Sequence, residues 1–147
     1  MRCKHSGLVG AFSTKIGDTT LACVGLTESR AKAEGIDYVI GQAEAVDKHP
    51  GVLAGAKKIK LKLLVLRIPQ EIIGGQVAGG STIAEFINML STLIIHRVKI
   101  IDIPALQIAT YPWLTPSPIT YALHSSTRCI SKSKKITKIR TKVNTQD

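Results

Sequence analysis

Aromatic residues make up only 4% of this 147-residue chain. Leu, Ile, Val and Ala must therefore fill its core, and no clustered rings are present to serve as a nucleic-acid stacking platform. Cysteine is almost as scarce. Cys3, Cys23 and Cys129 stand far apart and form no CxxC, which excludes a zinc knuckle or a thioredoxin-like pair. Cys23 lies in an apolar stretch and reads as a small core residue. Cys3 and Cys129 fall near the ends, where surface oxidation is a better expectation than catalysis. His5, His49, His96 and His124 are scattered, and none stands at ligand spacing from another His, Cys or carboxylate, so no metal site is expected. GxSxG is absent, and the ten acidic residues show no pairing that suggests glycoside chemistry. No apolar run reaches the roughly 18 residues of a membrane span. Phe86 to Ile95 comes nearest, and Asn88, Ser91 and Thr92 interrupt it. The N-terminal MRCKHSGLVGAFSTK carries positive charge without an adequate apolar stretch, so no signal peptide and a cytoplasmic location are expected.

Hydrophobic residues account for 44% of the chain, enough for one domain with a real core. The net charge of +10 is uneven. From His124 to Asp147 there are seven Lys or Arg against one Asp, giving +6 and leaving +4 for the other 123 residues. That stretch lacks the apolar content for a core. It reads as a solvated, disordered tail over residues 123–147. The functional alternative is non-specific attraction to nucleic acid or an anionic surface.

Between these ends the pattern alternates strands and helices. Thr19 to Gly25 reads as a strand; Leu21 and Cys23 alternate with Ala22 and Val24, so both faces are expected to be covered. Thr27 is an N-cap for a short helix, Glu28 to Glu34, that stops at Gly35. Tyr38 to Gly41 reads as a second strand, and Gln42 to Ala56 as a long connection with a turn at 47–51. Lys57 to Leu66 is the clearest strand: Ile59, Leu61, Leu63 and Val65 on one face, Lys58, Lys60 and Lys62 on the other. Leu64 and Leu66 break the polar face, an end expected to lie under a partner subunit. Arg67 to Glu71 reads as a hairpin loop and Ile72 to Gly79 as the returning strand. Thr82 and Glu85 form a capping-box pattern before a helix whose Ile83, Phe86, Ile87, Leu90, Leu93 and Ile94 make an apolar stripe. A further helix is expected after Asp102, with Pro104 in its first turn, ending near Ala109. This order gives an α+β fold: a mostly antiparallel sheet with helices packed on one face.

The glycine-rich segment Gly74 to Ser81, GGQVAGGS, sits between a strand and a helix as a phosphate loop does. Gly80 occupies the place of the required lysine, and Gln76 stands where a dinucleotide fingerprint needs its second glycine. The better reading is close approach of helix to strand at Gly75 and Gly79.

Residues Ala11 to Tyr38, AFSTKIGDTTLACVGLTESRAKAEGIDY, resemble the opening of the C-terminal dimerisation domain of the pyridine nucleotide-disulphide oxidoreductases, in the branch with NADH oxidases and coenzyme A disulphide reductases. The resemblance runs on to about Tyr121. It places a lead-in at residues 1–10, the dimerisation domain at 11–122 and the tail at 123–147. The full-length family implies FAD and NAD(P)H as cofactors, bound on two other domains that also carry the redox cysteine. None of those has a counterpart in this chain, so no cofactor is expected to bind it alone. In the glutathione reductase-like branch a His-Pro segment supplies an acid-base histidine across the dimer, oriented by a glutamate. Here Tyr111 stands in the histidine position and the glutamate's place falls near Pro116. A phenol ordinarily keeps its proton at neutral pH, so the imidazole mechanism is unavailable. Tyr111 remains a candidate hydrogen-bond donor to a thiolate, flavin or carbonyl. Tyr111, Pro112, Trp113 and Leu114 together are interface candidates.

Two functional readings follow, and a third is that the chain complements separate FAD and NAD domains to form an active enzyme. One is a detached dimerisation domain that pairs subunits and encloses the flavin site of an FAD-dependent NAD(P)H:disulphide oxidoreductase, inactive alone. Its expected partners are its symmetry mate and the missing FAD and NAD domains. The other is a basic nucleic-acid-binding module acting through the tail; truncation after Leu123 in a salt-titrated binding assay separates the two.

Overall fold

A computed structural model describes residues 8–49, 51–111 and 113–115. Five strands form one antiparallel sheet in the order β1-β2-β5-β4-β3, with β1 Ala11–Ile16, β2 Thr19–Gly25, β3 Tyr38–Val46, β4 Lys58–Leu66 and β5 Ile72–Gly79. Helix α1 spans Glu28–Ala33 and α2 Ile83–Ile95, and a 3-10 turn spans Ile103–Ala105. The expected α+β class with an antiparallel sheet holds, and the bounds of β2 and β5 are those read from the sequence.

One face of the sheet is the core face. Ala22, Val24, Val39, Ile59, Leu61, Leu63, Val65 and Val77 are buried there together with Ile83, Ile87, Leu90 and Leu93 of α2. Each such aliphatic side chain removed from water contributes about 1.5–3 kcal/mol, which outweighs the modest propensity of the β-branched residues for a helix. Phe86 and Ile94 pack at the margins of the stripe.

Gly75 makes this packing possible. A Cβ built there would lie 2.9 Å from Leu90 Cδ1 and 3.3 Å from Leu63 Cδ2, so the glycine-rich segment serves close helix–strand contact, as expected. Gly79 faces a different neighbour, with its Cβ position 2.9 Å from Ile59 Cγ1 and 3.0 Å from the Lys58 carbonyl. It relieves the β4–β5 contact rather than the helix.

Several local expectations are overturned. β1 was not anticipated, because it is exposed on both sides and has no apolar periodicity of its own. It exists as the hairpin partner of β2 across a turn where Gly17 takes φ +57°, a conformation that glycine adopts without steric cost. β3 continues from Gly41 to Val46 because its pairing with β4 runs unbroken from Tyr38↔Leu66 to Val46↔Lys58; the connection is shorter than the sequence suggests. The capping box at α2 does not form. Thr82 is itself helical, with φ −63° and ψ −16° and no capping hydrogen bond, while Glu85 accepts from Asn88 Nδ2. The helix instead opens on the carbonyls of Gly80 and Ser81. The expected helix after Asp102 is only the 3-10 turn, because Leu106 is already extended at ψ 130°.

The polar face of β4 also differs. Leu64 is fully buried within this chain, without a partner subunit. Glu28 of α1 pairs with Lys62 on that face, and Ala31 of α1 is fully buried. Thus α2 covers one face, and α1 caps a corner of the other. The cap of α1 itself is as read: Thr27 Oγ1 accepts from Arg30 N at 3.4 Å, and Gly35 takes φ +64°.

Candidate functional site

The β3–β4 connection is closed on itself and lies close to the chain leading into α2. Asp47 is buried; its Oδ1 accepts from Lys57 N at 2.7 Å, and a Cβ at Gly80 would stand 2.6 Å from its Oδ2. Lys48, next in the chain, donates to the Ala54 carbonyl at 2.9 Å and places its ammonium 5.5 Å from the centre of the Trp113 ring. Such a cation–π contact at a surface contributes about 0.5–1 kcal/mol. It sets the segment around Tyr111 against the far end of the sheet.

That segment is a closed turn. Tyr111 N donates to Thr115 Oγ1 at 2.8 Å, and the Tyr111 carbonyl accepts from Leu114 N, Thr115 N and Thr115 Oγ1. Every one of these bonds lies inside the turn. The turn is therefore closed by backbone and the Thr115 hydroxyl, and the three large side chains are left outward: Tyr111 is 57% exposed, Trp113 50% and Leu114 66%. Pro112 lies outside the described residues. Of the interface candidates, the fold thus brings Tyr111, Trp113 and Leu114 together on one exposed turn, with Lys48 as a neighbour that sequence spacing gave no means of finding.

The second feature is the sheet face that α2 leaves uncovered. Pair by pair, the register places Phe12 beside Cys23 and Cys23 beside Gln76, Thr14 beside Leu21 and Leu21 beside Ala78, with Lys60, Lys62, Gln42 and Glu44 on the same side. These residues line a concavity of about 960 Å³. Phe12 is 60% exposed and Leu21 39%. Cys23 is half-buried on this face, which corrects the expectation that it is a core residue and that both faces of β2 are covered. The charged members are already paired: Lys60 lies 3.7 Å from Glu44, and Lys62 contacts Glu28. The face is therefore mainly apolar on the β1–β2 side and charge-balanced on the β3–β4 side.

Among the described residues no group of three His, Cys, Asp or Glu is arranged to hold a metal ion, and no helix is long and apolar enough to cross a membrane. The basic tail lies outside the described residues.

Comparison with known proteins gives a consistent answer. Residues 12–121 match the family model described as pyridine nucleotide-disulphide oxidoreductase, dimerisation domain. An NADH oxidase of Methanocaldococcus jannaschii is 27% identical over 112 residues, which cover 76% of this chain and 25% of that protein. Among solved structures, an NAD-dependent persulfide reductase from A. fulgidus superposes with a TM-score of 0.79 at 28% identity, over 88% of this chain and 24% of that one. A water-forming NADH oxidase from Lactobacillus brevis, bound to NADH, gives a TM-score of 0.76 over 86% of this chain and 28% of that one, with 19% identity showing likeness of fold alone. The chain spans about a quarter of the length of the relatives it matches.

Proposed function

The chain belongs to the pyridine nucleotide-disulphide oxidoreductase dimerisation-domain family, and on that premise we propose that it is the subunit-pairing unit of an FAD-dependent NAD(P)H:disulphide oxidoreductase. Its role is to join two subunits and help enclose a flavin site whose nucleotide-binding loops and redox cysteine belong to other domains. Members of the family depend on FAD and NAD(P)H. The observation that carries the reading is the coverage: one family domain accounts for residues 12–121, while the matched relatives are about four times longer. By itself the chain pairs and does not catalyse. The cytoplasm is the proposed compartment, because three cysteines without a pairing pattern suit a reducing environment.

The exposed turn supports a specific self-association surface. Tyr and Trp are enriched at such surfaces, where one flat side chain buries much area at little entropic cost. Tyr111, Trp113 and Leu114 are proposed to lie in the contact between two copies, with the Tyr111 hydroxyl free to donate towards the partner's site.

Light scattering on a sizing column, with absorbance followed near the flavin band, tests the reading. A colourless dimer is expected. Flavin coeluting in stoichiometric amount would show a cofactor site within this chain and overturn it. Trp113→Ala is expected to raise the dimer dissociation constant by about tenfold, the effect of losing a modest interface hot spot. An unchanged constant would remove the turn from the interface.

A further inference from the structure

We infer that Lys48 is the positioning residue of the pairing surface: its ammonium holds the Trp113 turn in the orientation that a second copy meets. The inference rests on the proposed function and names the group on which that contact depends.

Little else directs the turn. The 3-10 turn before it ends at Ala105, and residues 107–110 carry no backbone hydrogen bond among the described residues. Of those four, Ile108 is half-buried and the others are exposed. The bonds of Tyr111, Leu114 and Thr115 close the turn on itself and reach no other element. Among the described residues, the Lys48 ammonium, 5.5 Å from the centre of the Trp113 ring, makes the one polar or ring contact from the turn to the sheet body. A segment with exposed backbone and few contacts samples other directions unless something holds it.

Lys48 is itself fixed. Asp47 and Lys57 close the base of the β3–β4 connection: Asp47 N donates to the Lys57 carbonyl at 2.9 Å, and Lys57 N donates to Asp47 Oδ1 at 2.7 Å. From that base the Lys48 ammonium reaches the Ala54 carbonyl at 2.9 Å. Gly55 follows, and a Cβ there would lie 3.3 Å from Lys48 Nζ, so the backbone comes close to the charge. A long side chain loses rotamer freedom when it is ordered. Here a carbonyl and a ring face order it together, in a pose that neither sets alone. The ring is 50% exposed, so one face takes the lysine and the rest is left for a partner.

The size of the effect follows from that contact. A cation–π contact at a surface favours the held turn over released directions by about two- to fivefold. Only the held turn pairs, so the apparent dissociation constant scales inversely with its population. In a two-fold dimer each copy presents one turn, and the factor enters twice. Removing the charge is therefore expected to raise the constant by about four- to twenty-five-fold.

The test uses the full chain with two substitutions. Lys48→Gln keeps an N–H for the Ala54 carbonyl and removes the charge; Lys48→Arg keeps both. Lys48 is half-buried at the surface, so neither change disturbs the core. Sedimentation equilibrium gives the dimer dissociation constants. Trp113 is the one tryptophan of the chain, so acrylamide quenching of its emission, measured where the chain is monomeric, reads the turn directly. Lys48→Gln is expected to weaken pairing by about tenfold and to raise the quenching constant. Lys48→Arg is expected to restore both, since a guanidinium also stacks on an aromatic face. In a Trp113→Ala background, Lys48→Gln is expected to add less than about twofold, because the lysine acts through the ring. Unchanged pairing in Lys48→Gln, with Trp113→Ala still weakening it, would overturn the inference and leave the turn in the interface. Weakened pairing with an unchanged quenching constant, or a full further loss in the Trp113→Ala background, would place Lys48 against the partner itself and overturn it equally. An unchanged constant in Trp113→Ala would remove the turn from the interface and this inference with it.

Discussion

Gly74→Ala is expected to destabilise the domain by about 3 kcal/mol, near the upper end for overpacking. A Cβ at this buried position would sit 2.0 Å from the Leu26 carbonyl oxygen and 2.9 Å from its carbon. Both are main-chain atoms, so no rotamer change relieves the clash. The Leu26 N–H is held at 2.9 Å by the Ile73 carbonyl, and moving Leu26 away would break that bond and disturb the entry into α1. The facing residue in the β2–β5 ladder is Gly25, at φ +69°, whose own Cβ position lies 2.4 Å from the Ile73 carbonyl. The two glycines thus let two backbones cross at one point. Gly10→Ala serves as the control, since nothing lies within 4 Å of its Cβ position; a change within about 0.5 kcal/mol is expected there. Urea unfolding at one fixed protein concentration compares them, because the midpoint of a self-associating protein depends on concentration. Equal midpoints for the two variants would contradict the crossing.

Leu90→Ala is expected to cost about 3–4 kcal/mol, within the range for large-to-small changes in a packed core. Leu90 is 2% exposed and belongs to the stripe by which α2 is seated on the sheet. The site cannot close easily, because the strand opposite is anchored on both sides by β2 and β4. A second substitution makes the argument sharper. Gly75→Ala alone introduces a methyl 2.9 Å from Leu90 Cδ1 and is expected to cost about 1–2 kcal/mol. With Leu90 already reduced to alanine, that methyl has room and fills part of the cavity. The double variant is expected to be more stable than the sum of the singles by roughly 1 kcal/mol, as for residues that share one space. Additive effects in the thermal or urea midpoints would mean that helix and strand do not meet at this pair.

The sequence was most legible where chemistry repeats along the chain. The alternation of lysines with Ile59, Leu61 and Leu63 fixed a strand and its faces, and the 3.6-residue stripe of α2 fixed the side that seats on the sheet. Glycine spacing was legible as well, at least in excluding phosphate chemistry: a missing lysine is decisive without coordinates. The resemblance over residues 11–121 carried the family, because it rests on the order of residues rather than on their packing. It did not carry a site, since the histidine of the related mechanism is Tyr111 here.

Features that depend on what lies across space were hidden. β1 has no apolar period and becomes a strand only because β2 offers it a ladder. The capping box at Thr82 is a valid local pattern, yet the sheet delivers the chain to α2 through Gly80 and Ser81 already turned, so the threonine enters the helix. Leu64 looked like a residue awaiting a partner, and α1 folds back to that corner. Cys23 looked like core, and the sheet turned it to the open face, because side chains one residue apart on a strand point opposite ways and α2 covers only one side. The sequence by itself therefore determined β2, β4 and β5, the main helix, the family and the want of recognised cofactor motifs. Tertiary structure alone decided which face of β2 is open, where the Trp113 turn meets Lys48, and hence which surfaces are left for partners; each of these depends on distances between residues far apart in the chain, which local patterning does not encode.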